Sequence, residues 1–221
     1  MIVLYHFPLC PFSRSIRILL KEKAIPFELV LENYWERSFA LGCLNPAFEV
    51  PVLLDEKNVI CDVSAIVEYI EEKYDNKRLL GDDLEHNAEV RRIANWFNYK
   101  FYGEVTKYII NEKVIRFYEQ TGHPDSEYIR AARINIEYHM KYLEFLLGKR
   151  KWLAGDRMTY ADIAAASQLS VLDYLGDVSW DEFESVKHWY AVIKSRPSFR
   201  LLLTDRISGF VPAEAYYDLD F

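Results

Sequence analysis

The chain has 221 residues, 51% of them apolar or aromatic, which suits one or two globular domains with a sizeable core. Its formal charge of −7 argues against general binding to nucleic acid, since neutralising phosphates needs a basic surface. No eighteen-residue apolar run, no signal-like N-terminus, three irregularly spaced cysteines and no Cys/His cluster lead to the expectation of a cytoplasmic protein without a metal.

Ile2-Val3-Leu4-Tyr5 reads as a short strand, and Arg14 to Lys23 as a helix with Ile16, Leu19 and Leu20 on one face and basic residues on the other. Between them runs His6-Phe7-Pro8-Leu9-Cys10-Pro11-Phe12-Ser13. A thiol at a helix start meets free N–H groups and the positive end of the helix dipole. With Arg14 and Arg17 following closely, Cys10 is a candidate nucleophile with a depressed pKa. The alternative is an ordinary small residue in a loop. Cys43 and Cys61, among apolar neighbours, read as inert packing.

Phe27 to Leu31 has the apolar and charged alternation of a second strand. At Val50-Pro51 the proline lacks a ladder donor, so it should open a strand over Val52-Leu53-Leu54 rather than sit inside one. Asp55-Glu56-Lys57-Asn58 reads as a turn into Val59-Ile60-Cys61, and Asp62 precedes a helix carrying Ile66, Tyr69 and Ile70. The order βαβ, then ββα, is that of a thioredoxin-like domain, assigned here to residues 1–76.

From Asp83 onward strand alternation gives way to long helical patterns, such as ANWFNYKFYGEVTKYIINEKVI and SEYIRAARINIEYHMKYLEFLL, which predict an all-α domain over residues 84–205. In WLAGDRMTYADIAAASQLSVLDYL, Thr159 and Asp162 stand three apart at the head of an apolar helix, as N-cap and N3 residues do, with Met158 as the staple. That pattern is structural rather than catalytic. Arg91-Arg92 and Lys149-Arg150-Lys151 read as solvated, and with sixteen Tyr, thirteen Phe and five Trp some rings should line a cleft or an interface.

Residues 206–221 are expected to form an extended tail, because Gly209 and Pro212 interrupt any helix. Its end, Tyr217-Asp218-Leu219-Asp220-Phe221, alternates acidic and apolar side chains. Both a frayed terminus and a partner-binding peptide, with apolar groups in pockets and charges setting register, fit that pattern.

Asn45-Pro46, Val50-Pro51-Val52-Leu53 and Ser64-Ala65-Ile66 through Tyr69-Ile70 resemble the glutathione-domain signature of the cytosolic glutathione S-transferase superfamily. The segment Leu153 to Ile163 resembles that superfamily's helical-domain motif, and the likeness covers about the first 205 residues. It implies an α/β plus all-α fold, with a thioredoxin-like domain followed by an all-helical one. It also implies a cis Val50-Pro51 bond. If the chain is an enzyme, the resemblance implies a glutathione S-transferase or thioltransferase with glutathione as substrate, no other cofactor, and Cys10 as the catalytic residue. The glutathione-binding candidates are Cys10, Val50, Pro51, Asp62 and Val63.

Two positions depart from the pattern. Asp62-Val63 stands where the family has Glu or Gln followed by Ser, and losing a hydroxyl donor to a charged ligand costs about 1.5–3 kcal/mol. Phe48 stands where the family favours Gly, and its ring is expected to occupy tripeptide space or an interface. These departures, the segment Tyr34-Trp35-Glu36-Arg37 and the acidic-aromatic end resemble a bacterial group of FtsZ-localised, transferase-like division proteins. That narrower resemblance implies a non-catalytic homodimer at the division site that binds FtsZ filaments and engages septal wall-synthesis machinery through its tail.

Overall fold

Residues 1–219 are described by the computed structural model. Strand β1 (Ile2–His6) buries alternate side chains, leads into α1 (Pro11–Glu22), and pairs in parallel with β2 (Phe27–Leu31). A short α2 (Phe39–Leu44) precedes the antiparallel pair β3 (Val52–Asp55) and β4 (Asn58–Cys61), and α3 (Val63–Lys73) follows. The strand order β2-β1-β3-β4 is that of a thioredoxin-like sheet. Pro51 lies one residue before β3, outside the ladder, and its bond to Val50 is cis. At the sheet's edge β2 leaves Leu29, Val30 and Leu31 exposed, so its alternation does not produce a buried face.

In the second half, α4 (Leu84–Asn95) continues without a break through π-helical turns at Trp96–Thr106, α5 (Lys107–Ile110), further π turns at Asn111–Ile115, and α6 (Arg116–Glu119). Gln120, at φ 55°, ends the run in the left-handed conformation. The expected long helix is therefore present, with an underwound middle of the kind that often marks a working surface. Then come α7 (Ser126–Leu147), α8 (Tyr160–Tyr174), α9 (Glu184–Lys194) and α10 (Pro197–Leu203). Among the described residues no helix is long and apolar enough to cross a membrane.

All fifteen residues of α8 are buried. A helix buried on every side must have its end groups satisfied internally, and the Thr159/Asp162 capping box does so. Asp162 accepts from the backbone N–H of Thr159 at 2.9 Å, the Thr159 hydroxyl at 3.3 Å, the backbone N–H of Leu153 at 3.0 Å and the Trp189 indole at 3.0 Å. The box thus also ties α8 to α9 and to the preceding loop.

Helix α1 is buried from both sides as well, so of its expected basic face only Lys21 is exposed, while Arg14 and Arg17 are 0% and 2% exposed. At its end Glu22 clamps the domains. It accepts from Arg196 at 2.7 and 2.9 Å, from Ser198, and from Lys77 in the linker. Arg91 and Arg92 are also paired, with Glu68 and Glu89.

Replacing Asp162 with Ala strands four buried donors, and chemical denaturation should show a loss of about 3 kcal/mol or more. Burial alone would raise the Glu22 carboxyl, but the hydrogen bonds from Arg196, Lys77 and Ser198 outweigh it and hold the pKa at about 2 instead of 4.5. Because the folded value is depressed, the clamp contributes fully above about pH 4.5 and is lost as the pH falls toward 2. Stability measured across that window should fall less steeply in Glu22→Gln than in the unaltered chain.

Candidate functional site

The loop before β3, the start of α3 and the π-helical segment enclose a cleft of about 370 Å³ between the two domains. Val50, Pro51, Asp62 and Val63 all line it. Cys10 lines a smaller cavity of about 90 Å³ that shares Phe12, Glu49, Val50 and Tyr102 with the larger one. The fold therefore gathers the five residues proposed for glutathione around two adjoining spaces. Among the described residues no cluster of His, Cys, Asp or Glu could hold a metal ion.

Cys10 is the N-cap of α1, as its sequence position suggests, but its thiol pKa shifts in the direction opposite to the expectation. The residue is 6% exposed, and its thiol donates to the carbonyl of Val50 at 3.3 Å. Burial pushes the thiol pKa up; hydrogen bonds from Ser13 and Phe12 offset this in part, and the Glu49 carboxylate adds to it. The two arginines point elsewhere. Arg14 donates to the Pro8 carbonyl at 2.6 Å and to the carbonyl and hydroxyl of Ser170 at 2.8 and 2.9 Å. Arg17 grips Asp205 through two bonds of 2.9 and 2.8 Å. Nor is Cys43 packing: it is exposed, whereas Cys61 is half-buried with its thiol directed to the Leu44 carbonyl at 3.4 Å.

At the start of α3 the Asp62 carboxylate accepts from the backbone N–H groups of Ser64 at 2.8 Å and Ala65 at 3.2 Å. It thereby occupies donors that a bound carboxylate would otherwise use. Val63 is buried and supplies no hydroxyl. Phe48 has φ 56°, a left-handed conformation that favours glycine and accounts for the family's preference there. Its ring lies under the Arg37 guanidinium at 4.7 Å and against Gly42, and does not line the cleft. The expectation that this ring takes up tripeptide space is thus overturned.

Sequence patterns did not reveal an aromatic junction where the domains and the tail meet. The Tyr34–Glu36 segment forms a single 3-10 turn, and Trp35 stacks on Tyr118 at 5.1 Å with Phe7 edge-on at 4.8 Å. Phe210, from the residues after α10, joins Tyr118 at 5.9 Å. The signal was the ring-rich Tyr34-Trp35 pair, but its partners lie far away in the chain.

The expected extended tail over residues 206–221 is corrected as far as Tyr216, because that stretch folds back onto the helical domain. Ala213 donates to the Tyr174 carbonyl at 3.0 Å, Lys194 to the Ala215 carbonyl at 2.6 Å, and the Tyr216 hydroxyl to the Leu202 carbonyl at 3.1 Å. Tyr216 is wholly buried, edge-on to Tyr174 and beneath the Arg14 guanidinium. Beyond this anchor Tyr217 and Asp218 are exposed, and Leu219 lines a shallow groove along α9 with His188 and Val192. The charge of Asp218 reaches Lys194, so it is not remote from packed structure. Asp220 and Phe221 lie outside the described residues.

Comparison with known proteins places these features in context. The model for the glutathione S-transferase N-terminal domain matches residues 4–78, and that for the C-terminal domain matches residues 110–197. FtsZ-localized protein A of Caulobacter vibrioides is 46% identical over 99% of this chain and 97% of its own length. The solved structure of FzlA from C. crescentus superposes with a TM-score of 0.97 at 45% identity, covering 100% of this chain and 99% of that one. A structure described as a glutathione S-transferase from Rhodospirillum rubrum F11 is equally similar, with a TM-score of 0.97 and 47% identity over the whole of both chains.

Because burial raises the Cys10 pKa, its alkylation should rise only above the pH at which a free thiol reacts. Mass-spectrometric mapping at neutral pH should find exposed Cys43 modified well before Cys10. Preferential modification of Cys10 would restore its reading as a nucleophile.

Proposed function

We propose, from the premise that this chain belongs to the glutathione S-transferase superfamily, that it acts as a non-catalytic adaptor binding FtsZ filaments in bacterial cell division. The observation that carries this reading is the 46% identity, across nearly the whole of both chains, to a protein named for its localisation with FtsZ. The geometry of the cleft supports it. The thiol is buried and held protonated, the arginines near it in sequence are committed to other partners, and Asp62 caps the α3 N–H groups itself.

In this reading the protein works as a homodimer at the division site, and the residues after Tyr216 are the segment that engages septal wall-synthesis machinery. The two parts have separate tasks: Tyr216 belongs to the buried body, while Tyr217, packed against Tyr216 and Arg206, and Asp218, whose charge reaches Lys194, lie at the surface beyond it. Around buried Phe7, the partly exposed rings of Trp35, Tyr118 and Phe210 bring together residue types that dominate protein interfaces.

The competing reading is an active glutathione S-transferase or thioltransferase using Cys10. Its support is the similarly close structure described as a glutathione S-transferase. Glutathione titrated to about millimolar concentration separates the two, since the adaptor should show no saturable heat and a transferase should bind.

The intact protein should co-sediment with polymerised FtsZ. A chain lacking residues 217–221 should also co-sediment and melt within about 1 kcal/mol of the full chain, yet fail to support division in cells. Normal division with the truncated protein at native level would remove the tail's role, and absence of the intact protein from the FtsZ pellet would remove the filament. By contrast, Tyr216→Ala should cost about 3–5 kcal/mol in chemical denaturation, because it empties a buried aromatic site.

A further inference from the structure

The cleft is shaped for a small molecule, but its charge is wrong for glutathione. Its rings come from Phe12 on α1 and from Tyr99 and Tyr102 on the π-helical segment, with Phe12 and Tyr102 4.6 Å apart. Its carboxylates are Glu49 and Asp62, both at the exposed rim, and among the described lining residues there is no lysine, arginine or histidine. Glutathione brings two carboxylates and one ammonium, so such a cavity meets its excess anionic charge with like charge. Aromatic faces and carboxylates together are the environment that a cation prefers.

We propose that this cleft takes a cationic ligand, an ammonium or guanidinium group carried on an apolar stem. Glu49 stands where the larger and smaller cavities meet, and its charge reaches the Cys10 thiol and the hydroxyls of Tyr34 and Tyr102. Asp62 uses one carboxylate oxygen, Oδ1, for both of its bonds to the start of α3. Its other oxygen has no hydrogen-bond donor among the described residues, and no ion pair forms at either Glu49 or Asp62 among them. The cationic group would sit between these carboxylates and the rings, and the stem would cover Phe12, Val50 and Pro51. The side-chain amides of Asn45 and Asn98 add neutral hydrogen-bonding groups without changing the charge. The chemistry is shared by a free alkylguanidine and by an arginine or lysine side chain presented by a peptide. This inference concerns the cleft alone and stands whether or not the protein binds FtsZ.

The test is a calorimetric titration of the full chain at low ionic strength with n-butylguanidinium, with pentanamide as a neutral amide on the same butyl stem, and with reduced glutathione. Butylguanidinium should bind at least tenfold more tightly than either of the others, and its affinity should fall as salt is added. Glu49→Gln and Asp62→Asn, the latter keeping a capping oxygen on α3, should each weaken butylguanidinium roughly fivefold with unchanged thermal melting. A blocked arginine dipeptide provides the second arm: tighter binding than butylguanidinium identifies a peptide side chain as the source, and equal or weaker binding identifies a free alkylguanidine. The proposal is overturned if butylguanidinium does not bind, if pentanamide or glutathione binds as well, or if neither substitution changes the affinity.

Discussion

The burial of α1 between the sheet and the helices α8 and α10 is the constraint on which the other features depend. A helix with arginines at positions 14 and 17 can be buried only if both guanidinium groups find partners inside, since an unpaired buried charge is far costlier than any packing gain. Arg14 donates to Ser170 on α8 and to the Pro8 carbonyl, Arg17 donates to Asp205 beyond α10, and the Asp205 carboxylate, 4.0 Å from Arg14, is the counter-charge that both share, although one nitrogen of each guanidinium makes no hydrogen bond. Pairing the arginines there draws them away from Cys10. The thiol, left in a dry place without a cation, stays neutral.

The same arrangement holds the segment after α10. The Arg14 guanidinium lies over the rings of Tyr174 and Tyr216, and Lys194, itself paired with Asp173, donates to the Ala215 carbonyl. A segment whose described residues form no α-helix, only a 3-10 turn at Glu214–Tyr216, is thereby fixed by one buried ring and a few directed hydrogen bonds. The anchor sets where Tyr217 and Asp218 emerge, and so ties their position to the interface between the domains.

In the cleft, the scaffold and its chemistry have come apart. The cis Val50-Pro51 step, the helix start at Asp62 and the wall from α4 onward keep the shape of a transferase site. The groups around that shape are acids, rings and a protonated thiol. Phe48 shows the distinction well: its backbone retains the left-handed conformation that a glycine would adopt, while its ring has turned outward to Gly42 and Arg37.

Local rules were enough for the fold. A proline that cannot join a ladder marked the start of β3, turn residues marked the hairpin, and a threonine with an aspartate three residues later marked the head of α8. Such features depend on neighbours within a few residues, which is why they were legible, whereas Val50, Pro51, Asp62 and Val63 came from a family resemblance and the cleft's rings, Phe12, Tyr99 and Tyr102, were not foreseen. What Cys10 does was not legible, because a pKa depends on burial and on the direction of side chains whose partners, Ser170 and Asp205, lie more than 150 residues away. The course of the tail was hidden for the same reason. Gly209 and Pro212 correctly rule out a helix, but only the pocket formed by Arg14, Tyr174, Lys194 and Leu202 decides that Tyr216 is buried. By itself the sequence determined the order of elements, their caps and the residues available for chemistry; the tertiary structure decided which charges those residues face, because electrostatic environment is set by distance in space and not along the chain.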